Sequence, residues 1–260
     1  MNSLTFSFKK YRFEIYNKPG KWMRPSDLNA IQERVSIIAT KRLGMKPCFS
    51  FFKDVKYLSN KLIVLCADRK KPVDYSCCVM SYLGKYKESN VIHLGAVYSV
   101  NENKGLMKLI YVIGLIYSFL KNGLFRKMYI TSLTHTPKIF GVVTESFDNV
   151  YPNINPDDTP SAIHLTLKDI FINTYLTEWE LEEVPVIENS FVIRGFRVQK
   201  DGSILYPDSI LTVPKHRKKE FNDRCFQMID YPSGDEILQT GLSRGLFSFL
   251  LRNISVFNYS

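Results

Sequence analysis

Cysteine and histidine are scarce, with five and four copies in 260 residues, and neither falls into a metal-binding pattern. Cys48, Cys66, Cys77, Cys78 and Cys225 form no CxxC pair and leave an odd thiol, which argues against a disulfide framework and against a zinc site. Long apolar runs are missing too. The longest, Leu109 to Leu120, is twelve residues, and a membrane-spanning helix needs about 20. The start, MNSLTFSFKKYRF, has no signal-peptide core. There is no GxGxxG, no Walker lysine pattern, no internal repeat and no low-complexity tract. These absences lead to the expectation of a cytoplasmic, reducing-compartment protein without a bound metal, with peripheral membrane contact left open.

What is present is ample core material: 45% hydrophobic and 13% aromatic residues against 23% charged. That composition folds, and its Phe and Tyr content favours strands. The net charge of +10 is regional. Residues 1–130 carry 23 Lys/Arg against 8 Asp/Glu, a net +15, while residues 131–260 carry 12 against 17, a net −5. A basic half attracts phosphate-bearing ligands, acidic carrier proteins, anionic membranes or nucleic acid. No zinc-finger, helix-turn-helix or RNA-binding signature accompanies it, so no specific nucleic acid is expected.

Along the chain, a strand is expected around Arg12–Tyr16, then a helix capped by Ser26 or Asp27, with Leu28, Ile31, Val35, Ile38 and Ala39 at helical spacing and Gly44 as its stop. KLIVLCA (61–67) and DYSCCVMSYL (74–83) read as a hairpin, and VIHLGAVYSV (91–100) as the next strand. A polar turn, Asn101 to Gly105, leads into an apolar helix from Leu106 to about Lys121, then a strand at 127–133, a helix at 136–145 and the stretch 147–151. Beyond the turn-rich 153–160 we expect a mixed helical segment to Glu183, a strand at Ser190–Val198 completing the sheet, a charged helix at 215–224 and an apolar helix or strand at the carboxyl end.

The chemically informative unit is strand, glycine turn, helix, strand from Val91 to Leu133. A helix amino terminus offers unpaired N–H groups and the positive end of a dipole, so such a turn suits phosphate. Gly105 lets the backbone approach closely, and Lys104 and Lys108 add charge. The succession of elements over residues 10–152 resembles the GNAT acyltransferase superfamily. In that family the matching strand ends in a Gln/Arg-x-x-Gly-x-Gly/Ala turn; here the stretch runs from Glu102 to Met107 and keeps Gly105, with Glu102 and Met107 at the other two motif positions. Phe140–Tyr151 looks like the family's fourth helix and its ending, with Phe147 kept, Ser146 in place of glycine, and Val142 near the position of a tyrosine acid.

The resemblance implies a mixed α/β fold, with a mostly antiparallel central sheet flanked by helices: a donor-binding core over residues 1–152, and an extension over 153–260 that completes the sheet and shapes the acceptor site or a dimer contact. It implies an N-acyltransferase moving an acyl group, acetyl to fatty, from an acyl-coenzyme A or acyl-carrier thioester to an amine of a peptide side chain or free amino acid; the aromatic and apolar excess adds a slight lean to longer chains. No cofactor would be permanently bound. Donor contacts would come from Val97, Tyr98, Ser99 and Val100 for the thioester and pantetheine, and from Lys104, Gly105, Leu106, Met107 and Lys108 for the phosphates. Proton transfer has His93, Glu102, His135 and Glu145 as candidate bases, and Tyr98, Tyr129 and Ser146 as candidate donors. The other reading is a GNAT-like shell without catalysis that binds an acidic partner or nucleic acid.

Overall fold

The computed structural model describes residues 2–44, 52, 54–70, 74–100, 105–179, 189–198, 202, 204–205 and 208–258. Nine strands form one sheet: β1 (Ser3–Phe8), β2 (Tyr11–Asn17), β3 (Lys61–Asp68), β4 (Asp74–Tyr86), β5 (Ser89–Ser99), β6 (Met128–Thr134), β7 (Asp148–Tyr151), β8 (Val192–Ile193) and β9 (Glu236–Ser243). The order is β1-β2-β3-β4-β5-β6-β9-β7, with β8 pairing the end of β9 that β7 leaves open. Every pairing is antiparallel except β5 with β6. Six α-helices have both ends among the described residues: α1 (Pro25–Leu43), α2 (Leu106–Asn122), α3 (Pro137–Ser146), α4 (Ala162–Ile170), α5 (Lys219–Met228) and α6 (Leu246–Asn253). This is the mixed, mostly antiparallel sheet flanked by helices that the sequence led us to expect.

Both faces of the sheet are covered. On β3, Leu62, Val64 and Cys66 pack with α2, while Ile63 and Leu65 pack with α1, which is why KLIVLCA reads as a continuous apolar run rather than an alternation. Helix α2 is buried from Leu106 through Phe119 on nearly every side, since β3, β4 and β5 take one face and α6 with the turn after it another. Helix α4 and the π-helical turn that follows it, Phe171–Tyr175, cover Val91, Tyr129, Leu238 and Leu242 on the α1 side of the sheet. The four described cysteines, Cys66, Cys77, Cys78 and Cys225, are buried thiols; Cys48 lies outside the described residues.

Three expectations are corrected. Helix α1 starts two or three positions earlier than a cap at Ser26 or Asp27 would set it: Pro25 opens it after Arg24, and Asp27 sits in its first turn, where a carboxylate favours the dipole. Its end is as expected, at Gly44 with φ 73°. The strand placed at Ser190–Val198 shrinks to Val192–Ile193. The sheet is completed instead by β9, inserted between β6 and β7.

Candidate active site

The site is built by a defect in β5. Its register with β4 runs Cys78 to Val97 and Val79 to Ala96, then jumps to Ser81 with His93, so Leu94 and Gly95 stand opposite Met80 alone. This is a β-bulge, and it needs Gly95: a Cβ there would lie 2.3 Å from the Val79 carbonyl oxygen. The strand bends, and its parallel pairing with β6 ends. Only Val91–His93 pair with Tyr129–Thr131; from Leu94 onward β6 no longer runs beside β5, and the sheet splays.

An apolar cavity of about 240 Å³ lies at the splay. Leu94 and Val97 of β5 and Ser132 of β6 line its base, Met107, Lys108, Tyr111, Val112 and Leu115 come from α2, and α3 and α6 close it. Tyr111 reaches across to the bulge, where its hydroxyl meets the carbonyl oxygens of Leu94 and Gly95 at 2.9 and 2.5 Å. Burial raises its pKa well above the usual phenol value, so the hydroxyl stays protonated. Two polar atoms of lining residues have no hydrogen-bond partner among the described residues: Ser146 Oγ at the end of α3 and Asn253 Oδ1 on α6. Both residues are buried, and the Asn253 amide donates to the Phe249 carbonyl at 2.9 Å and, at 3.4 Å, to that of Ser146. Buried polar atoms without partners are rare.

Gly105 sits at the start of α2 with φ 85°, a conformation that disfavours side chains. Lys108, one turn on, has its pKa lowered: burial and Arg217 outweigh the attraction of Glu145.

The expected donor-binding residues divide sharply. Val97, Gly105, Met107 and Lys108 line the cavity. Tyr98 points to the opposite face and packs with α1. Ser99 is buried, its hydroxyl 2.6 Å from that of Ser76. Val100 is exposed, and the Leu106 side chain is in the core. Glu102 and Lys104 lie outside the described residues.

The candidate proton-transfer groups are scattered. His93 is buried, 3.0 Å from Thr131 Oγ1, with its ring 4.0 Å from that of Tyr175 and 5.2 Å from that of Phe171. Burial, helped by Lys61, depresses its pKa to about 3, so the ring is neutral. His135 follows β6 with its ring nitrogens 3.2 Å from Glu236 Oε1 and 3.0 Å from Asp208 Oδ2; both can donate only when each carries a proton. Glu145 faces Lys218, Arg217 and His216 at 3.0, 3.3 and 3.6 Å. Burial pushes its pKa up, but these cations outweigh it and keep it ionised. Tyr129 packs against Tyr86, off the cavity. Among the described members of this group only Ser146 lines the cavity, and Val142 does too. Sequence reasoning missed Tyr111, Lys138 and Asn253; a tyrosine inside an apolar helix, whose hydroxyl must find a partner when buried, was the available signal for the first.

No protein-family model and no curated protein matches the chain. Among solved structures it is similar to a ribosomal-protein-S5-alanine acetyltransferase from Vibrio fischeri, at 13% identity and a TM-score of 0.33, over 49% of this chain and 73% of that one. A likeness of that degree carries no weight for the activity, and the functional reading rests on the splay, the bulge and the cavity.

Proposed function

We propose that the protein is an N-acyltransferase that takes an acyl group from a coenzyme A or carrier-bound thioester and passes it to an amine. The observation behind this reading is the coincidence of three features at one place: a sheet splayed by a bulge, a glycine-started helix beside the splay, and an apolar cavity lined by both. An extended thioester arm laid along Leu94–Ser99 would use backbone groups that β6 does not reach, and a backbone N–H would polarise the thioester carbonyl. The amine adds to the carbonyl carbon, the C–S bond breaks, and the amine proton passes to a base while the thiolate leaves with or without a proton. The α2 amino terminus and Lys108 suit the donor's phosphates. Ser146 Oγ and Asn253 Oδ1 call for a ligand with hydrogen-bonding groups, as the amides of a pantetheine arm supply. A long hydrocarbon chain filling the cavity would leave both unpaired, which favours the shorter end of the acyl range.

A second reading, a shell that binds the donor without turnover, is favoured by one observation: none of the described candidate bases lines the cavity. Thermal unfolding with coenzyme A thioesters from acetyl to palmitoyl tests the donor class. A ligand at a hundredfold over its Kd adds about 2.7 kcal/mol, a midpoint rise of roughly 5–10 °C for a chain of this size. Gly105→Asp should abolish most of that rise, whereas Gly105→Ala, with the backbone strain but no charge, should keep more of it. No rise with any thioester sinks coenzyme A as the donor. A rise without acyl transfer to any amine supports the second reading.

A further inference from the structure

On the side of α6 turned away from the cavity, that helix, the end of α2 and the turn after α2 present large apolar side chains to solvent. Phe125 is 81% exposed, Leu251 75%, Ile254 63%, Phe247 60% and Leu120 59%. Phe247, Leu251 and Ile254 recur at the i, i+4, i+7 spacing of one helix face, and the Phe247 ring lies 5.9 Å from that of Phe125, tilted by 31°. Of the five, Leu120 also lines a neighbouring recess. Single exposed hydrophobics are ordinary, but a contiguous cluster of this size marks a contact surface.

A basic border adjoins it. A polar recess of about 540 Å³ is lined by Lys85, Lys121, Arg126 and Lys127 beside Leu120, with Glu88 as its only acidic lining residue. Glu88 is engaged by Lys85 at 3.5 Å. On the α6 side, Arg252 and Arg244 both face Asp148, at 2.5 and 4.0 Å, so that one carboxylate is shared by two guanidinium groups. Lys121, Arg126 and Lys127 form no salt bridge among the described residues.

We propose that this end of the molecule docks on an anionic lipid surface, with Phe125, Phe247 and Leu251 entering the headgroup and acyl boundary while Lys121, Arg126 and Lys127 meet lipid phosphates. Aromatic and aliphatic groups on one side of a short helix, bordered by Lys and Arg, are the composition that holds interfacial helices in a membrane surface. A second copy of the chain fits less well, because a symmetric contact would bring the two basic borders together. An acidic carrier protein delivering the donor would be expected at the other end of α2: Leu120 stands about 22 Å along the helix from Gly105. The inference is independent of what the cavity binds.

The test is co-sedimentation of the full chain with vesicles of phosphatidylcholine alone and of phosphatidylcholine mixed with phosphatidylglycerol, over a range of salt. The expected result is binding to the mixed vesicles only, falling steeply with ionic strength. Two variants separate the contributions: Phe125→Ser with Leu251→Ser, and Lys121→Gln with Arg126→Gln and Lys127→Gln. Each should weaken binding by about tenfold or more, with an unchanged unfolding midpoint because all five positions are on the surface. Absence of binding to the mixed vesicles, or binding that neither variant alters, overturns the proposal. So does a wild-type dimer in sedimentation equilibrium that the Phe125/Leu251 variant converts to monomer, since the face would then belong to a second copy.

Discussion

His93 shows how one buried group ties stability to pH. Its folded pKa, about 3, lies below the ordinary histidine value of 6.5, so the unfolded chain takes up a proton that the folded chain refuses. The contribution to stability is complete above the unfolded value and is lost as pH falls from there toward 3, by up to about 1.4 kcal/mol per unit. Urea unfolding between pH 7 and pH 4.5 should therefore show a falling midpoint that flattens in His93→Gln; an equal slope in both would remove His93 as the cause. The same variant bears on catalysis. Turnover that survives in a folded His93→Gln protein assigns the ring to packing against Phe171 and Tyr175.

Ser146 and Asn253 pose the opposite case, in which a residue costs stability to serve a ligand. Ser146→Ala removes a buried hydroxyl without a partner, so the free protein should lose nothing and gain up to about 1 kcal/mol. Donor binding should weaken about fivefold to tenfold if the hydroxyl meets the ligand. Calorimetric titration with coenzyme A beside thermal unfolding reads both quantities. A variant that binds as tightly as the wild type takes Ser146 out of the site.

At the scale of elements, the bulge in β5 is the feature on which the splay depends. Gly95→Ala sets a Cβ against the Val79 carbonyl oxygen, which is backbone and cannot move aside cheaply. A loss on the order of 3 kcal/mol is expected, with donor binding lost even where the protein remains folded. Gly114→Ala is the contrast. There the new Cβ meets first the tip of Met80, a flexible side chain that can repack, so the loss should be smaller and the splay unaffected.

Much of this element scale was legible in the sequence because periodicity and punctuation agree. Helix α1 carries its five core residues at helical spacing up to Gly44, and β3, β4, β5, α2 and β6 fall within a residue or a few of where apolar runs and turns place them. The glycine within VIHLGAVYSV was itself a bulge signal, but its consequence for β6 depends on pairing between distant segments. Strand β9 was illegible for a different reason. EILQTGLS shows no alternation, since all eight residues are buried, and it contains Gln239 and Thr240. Gln239 donates to Thr144 Oγ1 and to the Pro152 carbonyl, both at 3.1 Å, and Thr240 to the Tyr151 carbonyl at 3.4 Å. Partners supplied by α3, β7 and Pro152 take up the Gln239 amide N–H and the Thr240 hydroxyl, while Gln239 Oε1 has none among the described residues, and no local pattern announces such partners. The site followed the same division: Gly105 and Lys108 were visible in a local motif, whereas Asn253 joins them from 148 positions away.

For the whole molecule, the insertion of β9 decides whether the chain can be cut. In β6, every residue from Met128 to Thr134 pairs with β9 across the register Met128–Ser243 to Thr134–Ile237, and β7 has β9 as its sheet neighbour. Residues 1–152 alone would keep β1 to β6 but expose the long edge of β6, and β7 would have nothing to pair with. They would also lose Phe249 and Asn253 from the cavity wall. An unpaired hydrophobic edge next to an exposed core face is a route to aggregation. We therefore expect residues 1–152, expressed alone, to be insoluble or to lack a cooperative unfolding transition, and adding residues 153–260 as a separate chain to rescue solubility only by restoring β9 between β6 and β7. A soluble 1–152 fragment that unfolds cooperatively and still binds coenzyme A would mean that the donor site is complete without the carboxyl-terminal strand and helix, and that Asn253 has no part in it.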